Sequence, residues 1–299
     1  MQLTLAQRHG SLAPLLAISI VTRGPPMTVA SISAGGDFRV GDVMSRAWSL
    51  FTGNIIFFLG VPLLIYASYY AVGWALRMFF GFAGARNPGS AAFWLVLVLV
   101  AIVVFGLYVI GQGVLLYGAF QRLRGQPLRP IDALQRVVGR LVPLVGLGIL
   151  FGLALMIVTF ITAMIFALIA SVLHSVAIIL LPAIYAPAAF LLVMWIVVVP
   201  ACLVENLGPV ASMARSAGLT SGFRWKVFGI LLLLILLSLV GVAIQFVAAY
   251  AGSWLAVLVG TVWSVVLLAY WNCTVIMTYH DLRVAKEGVD TTQIASVFD

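Results

Sequence analysis

The chain has 299 residues, of which 64% are hydrophobic and only 8% are charged, and its mean hydropathy is +1.20. Soluble domains carry about 25% charged residues, so this composition excludes a soluble globular protein and favours one whose surface faces lipid. The net charge of +8 does not indicate nucleic-acid binding, because the cations lie at the ends of apolar runs and not on one hydrophilic face.

Residues 1–39 form an extension before the first long apolar run. Within it, Ser11–Thr22 resembles the apolar core of a signal peptide, but it is shorter than the about 20 residues needed to cross a membrane. Cleavage there would place the segment with Arg39 and Arg46 outside the cell, which is unusual for a cation-rich segment. We therefore expect either that translation starts at Met27 or that the segment is a disordered or interfacial extension.

Six runs between residues 40 and 290 are long and apolar enough to cross the hydrocarbon core. They predict an all-α integral membrane domain of six transmembrane helices over 40–290, followed by a short tail at 291–299. The six runs are Asn54–Phe80, Phe93–Phe120, Leu141–Leu173, Ser175–Val204, Val227–Tyr250 and Trp254–Tyr279.

Arginine and lysine are distributed unequally between the two sides of this arrangement. Of the 16 cations, all but Arg77 and Arg86 lie in the N-terminal segment, the second-to-third connection, the fourth-to-fifth connection and the tail. Cytoplasmic loops carry the excess of cations. Both termini are therefore predicted to be cytoplasmic.

A short stretch with helical periodicity precedes each odd-numbered span, starting near Val40, Pro130 and Gly208. The 3.6-residue pattern predicts amphipathic helices at the membrane surface, with arginines that reach anionic headgroups. The predicted apolar face before the first span is Val40, Val43, Met44, Ala47, Leu50 and Phe51. Before the fifth span, the predicted apolar face is Val210, Met213, Ala214 and Ala217. The predicted polar face there is Ser212, Arg215 and Ser216.

This layout predicts an internal repeat of three units, each an interfacial helix followed by a two-span hairpin, with a period of about 80 to 90 residues. Arg46 of the first unit and Arg215 of the third are each followed by leucine at +4 and glycine at +7. The second of these glycines, Gly222, can end the third interfacial helix in the left-handed conformation.

Glu205 ends the fourth span and is the one carboxylate attached to a span without an obvious aqueous position. A charge at the hydrocarbon centre costs about 2.5–3.5 kcal/mol, and less near the interface. Glu205 therefore needs a cation, and Arg215, Arg224 and Arg283 lie on the same predicted side. The favoured interpretation is an ion pair that holds the third interfacial helix to the bundle. The alternative is a proton or substrate site.

Gln112, Gln245 and Asn272 lie within spans. Hydrogen bonds between membrane helices average well under 2 kcal/mol, so helix packing is the favoured role and a transport pathway is the alternative. Pro182 and Pro187 fit either a broken, substrate-binding helix or an ordinary kink, and the kink is favoured.

No motif for nucleotide binding, metalloprotease chemistry or serine hydrolysis occurs before a suitable helix. His9, His174 and His280 lack metal-ligand spacing. Cys202 and Cys273 lie within apolar segments, so no disulfide framework is implied. The sequence therefore predicts no enzyme activity, no cofactor and no metal.

Two stretches resemble a known family. Pro200–Trp225 reads P-x-x-x-x-E-N-x-G-P-x-x-x-x-x-R-S-x-x-L-T-x-G-x-x-W, and Tyr279–Asp290 reads Y-H-D-L-R-V-A-K-E-G-V-D. Both are similar to the six-helix membrane domain of bacterial glycerophosphoryl diester phosphodiesterases, which precedes a catalytic domain in some members and stands alone in many. The catalytic domain has no counterpart in this sequence. The resemblance thus implies a stand-alone module of the bacterial inner membrane without phosphodiesterase activity.

The second stretch can continue the sixth span as a helix, with Arg283 and Glu287 one turn apart and Gly288 ending it. Both stretches would then form a cytoplasmic collar of ion pairs. The leading hypothesis is a non-enzymatic scaffold, or a module that associates with membrane lipids or with a membrane or cytoplasmic protein partner. The rival is a small transporter or channel that uses the polar residues within the spans.

Overall fold

The computed structural model describes residues 38–82, 91–173 and 184–288. The predicted apolar stretch Ser11–Thr22, the alternative start at Met27 and the tail at 291–299 lie outside these residues. Within them no strand occurs. Ten helices follow one another in the described ranges: α1 Val40–Thr52, α2 Ile55–Phe82, α3 Ala91–Leu123, α4 Pro130–Val138, α5 Leu141–Leu173, α6 Ala186–Met194, α7 Val198–Val204, α8 Pro209–Thr220, α9 Arg224–Ala251 and α10 Ser253–Glu287.

Six segments in the described part of the chain are long and apolar enough to cross a membrane. Helices satisfy their own backbone hydrogen bonds, which is what a lipid environment requires. A short helix precedes each pair of spans: α1 precedes α2 and α3, α4 precedes α5 and the span formed by α6 and α7, and α8 precedes α9 and α10. The predicted all-α fold is therefore confirmed, and the protein is a multi-pass membrane protein.

The last helix, α10, lies at the centre of the bundle. It packs against α1, α2, α3, α8 and α9, and most of its residues from Ala269 to Leu282 are buried. The helix continues past the predicted end of the span at Tyr279. It ends at Gly288, which has a left-handed φ of 63°. Glycine adopts this conformation without strain because it has no side chain.

The buried core is concentrated at one end of the bundle. We call this the collar end, which is formed by α1, α4, α8 and the C-terminal turns of α3 and α10. α5 buries Leu144 and Leu147 close to the collar end, whereas Leu168 near its other end is exposed. α9 changes in the same way, from buried Leu234 to exposed Val247. At the opposite end, the distal end, the spans present large apolar side chains outward.

The fourth span is interrupted between α6 and α7, at 195–197. Pro200, in the first turn of α7, has no amide hydrogen with which to continue the preceding helix. Pro187 lies in the first turn of α6, where proline is tolerated, and Pro182 lies outside the described residues. The break in the helix therefore follows from Pro200.

This break explains which face of α8 packs inward. The buried residues of α8 include Ser212, Ser216 and Thr220, whereas Val210 on its apolar face is exposed. The carbonyl of Met194, at the end of α6, accepts hydrogen bonds from the hydroxyls of Ser216 at 2.9 Å and Thr220 at 3.3 Å. A broken membrane helix leaves carbonyl groups that need a polar partner. The hydroxyl face of α8 supplies that partner, and its apolar face is left outward.

Candidate functional site

Glu205 follows α7 at the collar end, where the chain turns into α8. Its amide donates to the carbonyl of Ala201 at 3.1 Å. Asn206 then adopts a left-handed φ of 57°, a conformation that asparagine tolerates better than most residues. The turn brings α8 beside the end of α7, so that Glu205 and Arg215 meet.

Glu205 is held by two other elements. Arg215 Nε of α8 donates to both carboxylate oxygens, at 2.8 Å and 3.1 Å. The Tyr279 hydroxyl of α10 donates to Glu205 Oε1 at 2.7 Å. The Glu205 and Arg215 side chains are 19% and 29% exposed, so water screens this pair less than a surface ion pair. The hydrogen bond with Glu205 is the largest cause that raises the pKa of Arg215.

Two further residues of α10 complete the arrangement. Arg215 also donates to Glu287, and Arg283 Nε donates to Glu287 Oε2 at 3.1 Å. Arg283 Nε lies 3.9 Å from Glu205 Oε1. Two carboxylates and two guanidinium groups therefore neutralise one another. We call these five residues the charged cluster: Glu205, Arg215, Tyr279, Arg283 and Glu287.

Arg224 is the predicted site residue that the structure places elsewhere. It begins α9, and its guanidinium lies over the ring of Phe190, 5.0 Å from the ring centre. Its Nε is buried without a hydrogen-bond partner in the described residues. Arg224 is thus stabilised by a cation–π contact and is not part of the charged cluster.

The three amide side chains within spans have different surroundings. Asn272 is buried, and its Nδ2 donates to the carbonyl of Leu268 at 2.7 Å within α10. The Gln112 amide nitrogen in α3 is buried and has no partner in the described part of the chain. Gln245 lines a groove whose lining includes neither of the other two.

Sequence reasoning misses two residues of the collar end, Tyr279 and Asp281. Tyr279 binds Glu205, and Asp281 accepts a hydrogen bond from Arg46 of α1. A signal for Tyr279 exists, because Tyr279, Arg283 and Glu287 recur at four-residue intervals and so share one helix face. No spacing connects Asp281 with Arg46, which lies far away in the chain.

One arginine of each short helix, α1, α4 and α8, contacts another element at the collar end. Arg46 of α1 contacts Asp281, Arg136 of α4 donates to Asn206 Oδ1 at 2.7 Å, and Arg215 of α8 belongs to the charged cluster. The residues three before and one after each arginine are buried: Val43 and Ala47, Ala133 and Val137, Ser212 and Ser216. The three short helices therefore share one register, and the repeat of three units stays a prediction.

The charged cluster joins the end of α7, α8 and α10 through hydrogen-bonded ion pairs. Each of its charges has an opposite charge within hydrogen-bonding distance. Among the residues that the structure describes, no group of three or more His, Cys, Asp and Glu side chains could hold a metal ion. What the cluster can do chemically is hold the short helix α8 against the central helix α10.

A scan against protein-family models found no match for this chain, and neither did searches of curated proteins and of solved structures. The similarity to the membrane domain of glycerophosphoryl diester phosphodiesterases therefore stays a prediction from two stretches. The structure brings these stretches together. Glu205 and Arg215 belong to the first, Tyr279, Arg283 and Glu287 belong to the second, and all five meet in the charged cluster.

Proposed function

We propose that this protein is a non-enzymatic scaffold of a bacterial inner membrane, with both termini in the cytoplasm. Its collar end associates with anionic lipid headgroups and presents a fixed surface to a membrane or cytoplasmic protein partner. The observation that carries this proposal is the excess of cations at the collar end, beside exposed apolar side chains.

The collar end carries more cations than its ion pairs use. In the described residues, twelve cations lie there against five carboxylates. Arg124 contacts the ring of Phe120, Lys286 donates to the hydroxyl of Ser221, and neither forms an ion pair within the described residues. The positive charge that is left attracts anionic headgroups by about 1 kcal/mol per cation near the surface.

Exposed apolar side chains lie close to these cations in the chain. Ile131 of α4 is 70% exposed and Trp225 of α9 is 86% exposed. Tryptophan favours the membrane–water interface, and a short helix with exposed apolar and cationic side chains lies in the headgroup layer. The collar end therefore combines both features that bind the surface of an anionic leaflet.

The second candidate function is a small transporter or channel that uses Gln112, Gln245 and Asn272. The groove at Gln245 favours it, because this groove places several polar side chains within the spans. The scaffold has the stronger support, because the ion pairs in the described residues lie at the collar end.

The proposal is tested by the retention of anionic lipid. The purified protein in nanodiscs of mixed phosphatidylglycerol and phosphatidylcholine is transferred to detergent, and the bound lipids are counted by native mass spectrometry. Arg124→Gln should lower phosphatidylglycerol retention about fivefold, the equivalent of about 1 kcal/mol. The matched control is Arg77→Gln, which removes an exposed cation from the distal end and should leave retention unchanged.

Equal retention by the wild-type protein and both variants would contradict the lipid-associated collar. A solute flux through proteoliposomes that Gln245→Leu abolishes would support the transporter instead.

A further inference from the structure

A polar groove lies within the membrane-spanning part of the bundle, away from the collar end. It is lined by α2, α9 and α10 and has a volume of about 200 Å³. One water needs only about 10–15 Å³ of such space. The lining residues are Tyr66, Tyr70, Gln245, Val257, Gly260, Thr261 and Ser264.

The groove lies at hydrocarbon depth. Gln245 lies fewer than two turns before the end of α9, and Thr261 lies just over two turns into α10. At 1.5 Å per residue, both are roughly 10 Å from the distal α9–α10 turn, and the hydrocarbon core is about 30 Å thick. Both α2 and α9 pack against α10, and the groove that the three helices line is open to the surroundings.

Two close contacts between glycines and large side chains bring α9 and α10 together beside the groove. A Cβ atom on Gly260 would lie 2.5 Å from Gln245 Nε2, and one on Gly241 would lie 2.0 Å from the Trp263 ring. Each helix thus offers a glycine to a large side chain of the other. The Gln245 amide thus lies against α10 at Gly260 and lines the groove.

Several groups in the groove have hydrogen-bonding capacity that the protein does not use. Thr261 Oγ1 donates to the carbonyl of Val257 at 2.7 Å and forms a hydrogen bond with the Tyr70 hydroxyl. By contrast, the side chains of Tyr66, Gln245 and Ser264 form no hydrogen bond within the described residues. Polar groups at hydrocarbon depth need partners, and the described residues supply none for these three side chains.

We propose that this groove binds the headgroup of an uncharged lipid that carries hydroxyl and ester groups, of which a diacylglycerol is the simplest. The lining contains no charged side chain, and an ionised headgroup at this depth would be costly without one. Hydroxyl and carbonyl groups match the free donors and acceptors of the amide and the hydroxyls. The opening leaves space for acyl chains to extend into the bilayer beside Val257.

The proposal is tested with a diacylglycerol whose acyl chain carries a diazirine and an alkyne. The full-length protein is reconstituted in phosphatidylcholine vesicles with this probe, illuminated, and its labelled peptides are identified by mass spectrometry. Labelling should be saturable, confined to α2, α9 and α10 around the groove, and suppressed by unlabelled diacylglycerol but not by phosphatidic acid.

Gln245→Leu should lower labelling about tenfold, and Tyr66→Phe, which removes only a hydroxyl, about threefold. Thr162→Val in α5 is a matched control for Thr261→Val, because the Thr162 hydroxyl bonds to Val158 of its own helix and lies outside the groove. Thr162→Val should leave labelling unchanged, and Thr261→Val should lower it.

Four results would overturn the proposal. Labelling that does not saturate, or that Gln245→Leu leaves unchanged, would exclude a specific lipid site. Reaction of Gln245→Cys with a water-soluble maleimide would show an aqueous pathway. A disulfide between two copies of Gln245→Cys would show that a second copy fills the groove. None of these results depends on whether the collar end retains phosphatidylglycerol, so the two proposals fail independently.

Discussion

The two ends of the same helices differ in how they are packed. In α5, Leu147 at the collar end is 2% exposed, whereas Leu168 at the distal end is 71% exposed. The two leucines have the same hydropathy and lie in the same apolar run. In a membrane, a leucine is accommodated as well by lipid as by protein. Apolar sequence therefore determines that the helix spans the membrane, and packing at the collar end determines the tertiary structure.

The first prediction concerns which side of the membrane the collar end faces. The excess of cations predicts the cytoplasm. Reporter fusions after Gly125, Asn206 and Asp290 should therefore show cytoplasmic activity. Fusions near Gly89, His174 and Gly252 should show activity on the other side. A periplasmic signal at Gly125 would contradict the orientation, because this residue connects α3 with α4 at the collar end.

A pair of leucine substitutions in α5 tests the difference in packing directly. Leu147→Ala removes a buried side chain and should lower the free energy of unfolding by about 2 kcal/mol or more. Leu168→Ala removes an exposed side chain from the same helix and should change stability little. The measurement is thermal unfolding of each variant in detergent. Equal losses would show that the distal end is packed as closely as the collar end.

Substitutions in the charged cluster should lower the free energy of unfolding by less than Leu147→Ala, and their effects should depend on one another. Glu205→Gln should destabilise the protein by about 1–2 kcal/mol, because Arg215 loses a charged hydrogen-bond partner. Arg215→Gln should cost a similar amount. Because the two side chains contact each other, the double variant should cost less than the two single variants added.

Arg224→Gln is the matched control for this cycle. Arg224 lies over Phe190 and not in the charged cluster, so its effect should add to that of Glu205→Gln. Strict additivity for Arg215 as well would remove the ion-pair interpretation of Glu205. Thermal unfolding of the single and double variants measures both cycles.

The sequence predicts the cluster in part, and the reason differs from residue to residue. Arg283 and Glu287 are one turn apart, so helical periodicity is enough to pair them. Glu205 needs a cation, and the candidates Arg215 and Arg224 have the same charge and lie on the same predicted side of the membrane. Only the turn at Asn206 places Arg215 beside Glu205. The contact between Arg46 and Asp281 joins opposite ends of the chain, and no local pattern reports it.

By itself, the sequence determined the helical membrane fold, the six spans and the short helices between them. These features depend only on neighbouring residues in the chain. In lipid, the backbone amide and carbonyl groups form their hydrogen bonds only in regular structure, and the length of each apolar segment must match the thickness of the membrane. The tertiary structure alone decided that the hydroxyl face of α8 packs inward, that the buried core lies at the collar end and that Gln245 lies in a polar groove. These features depend on which helices contact one another. In a membrane, helices associate through close packing and hydrogen bonds between residues distant in the chain, and hydropathy does not encode these contacts.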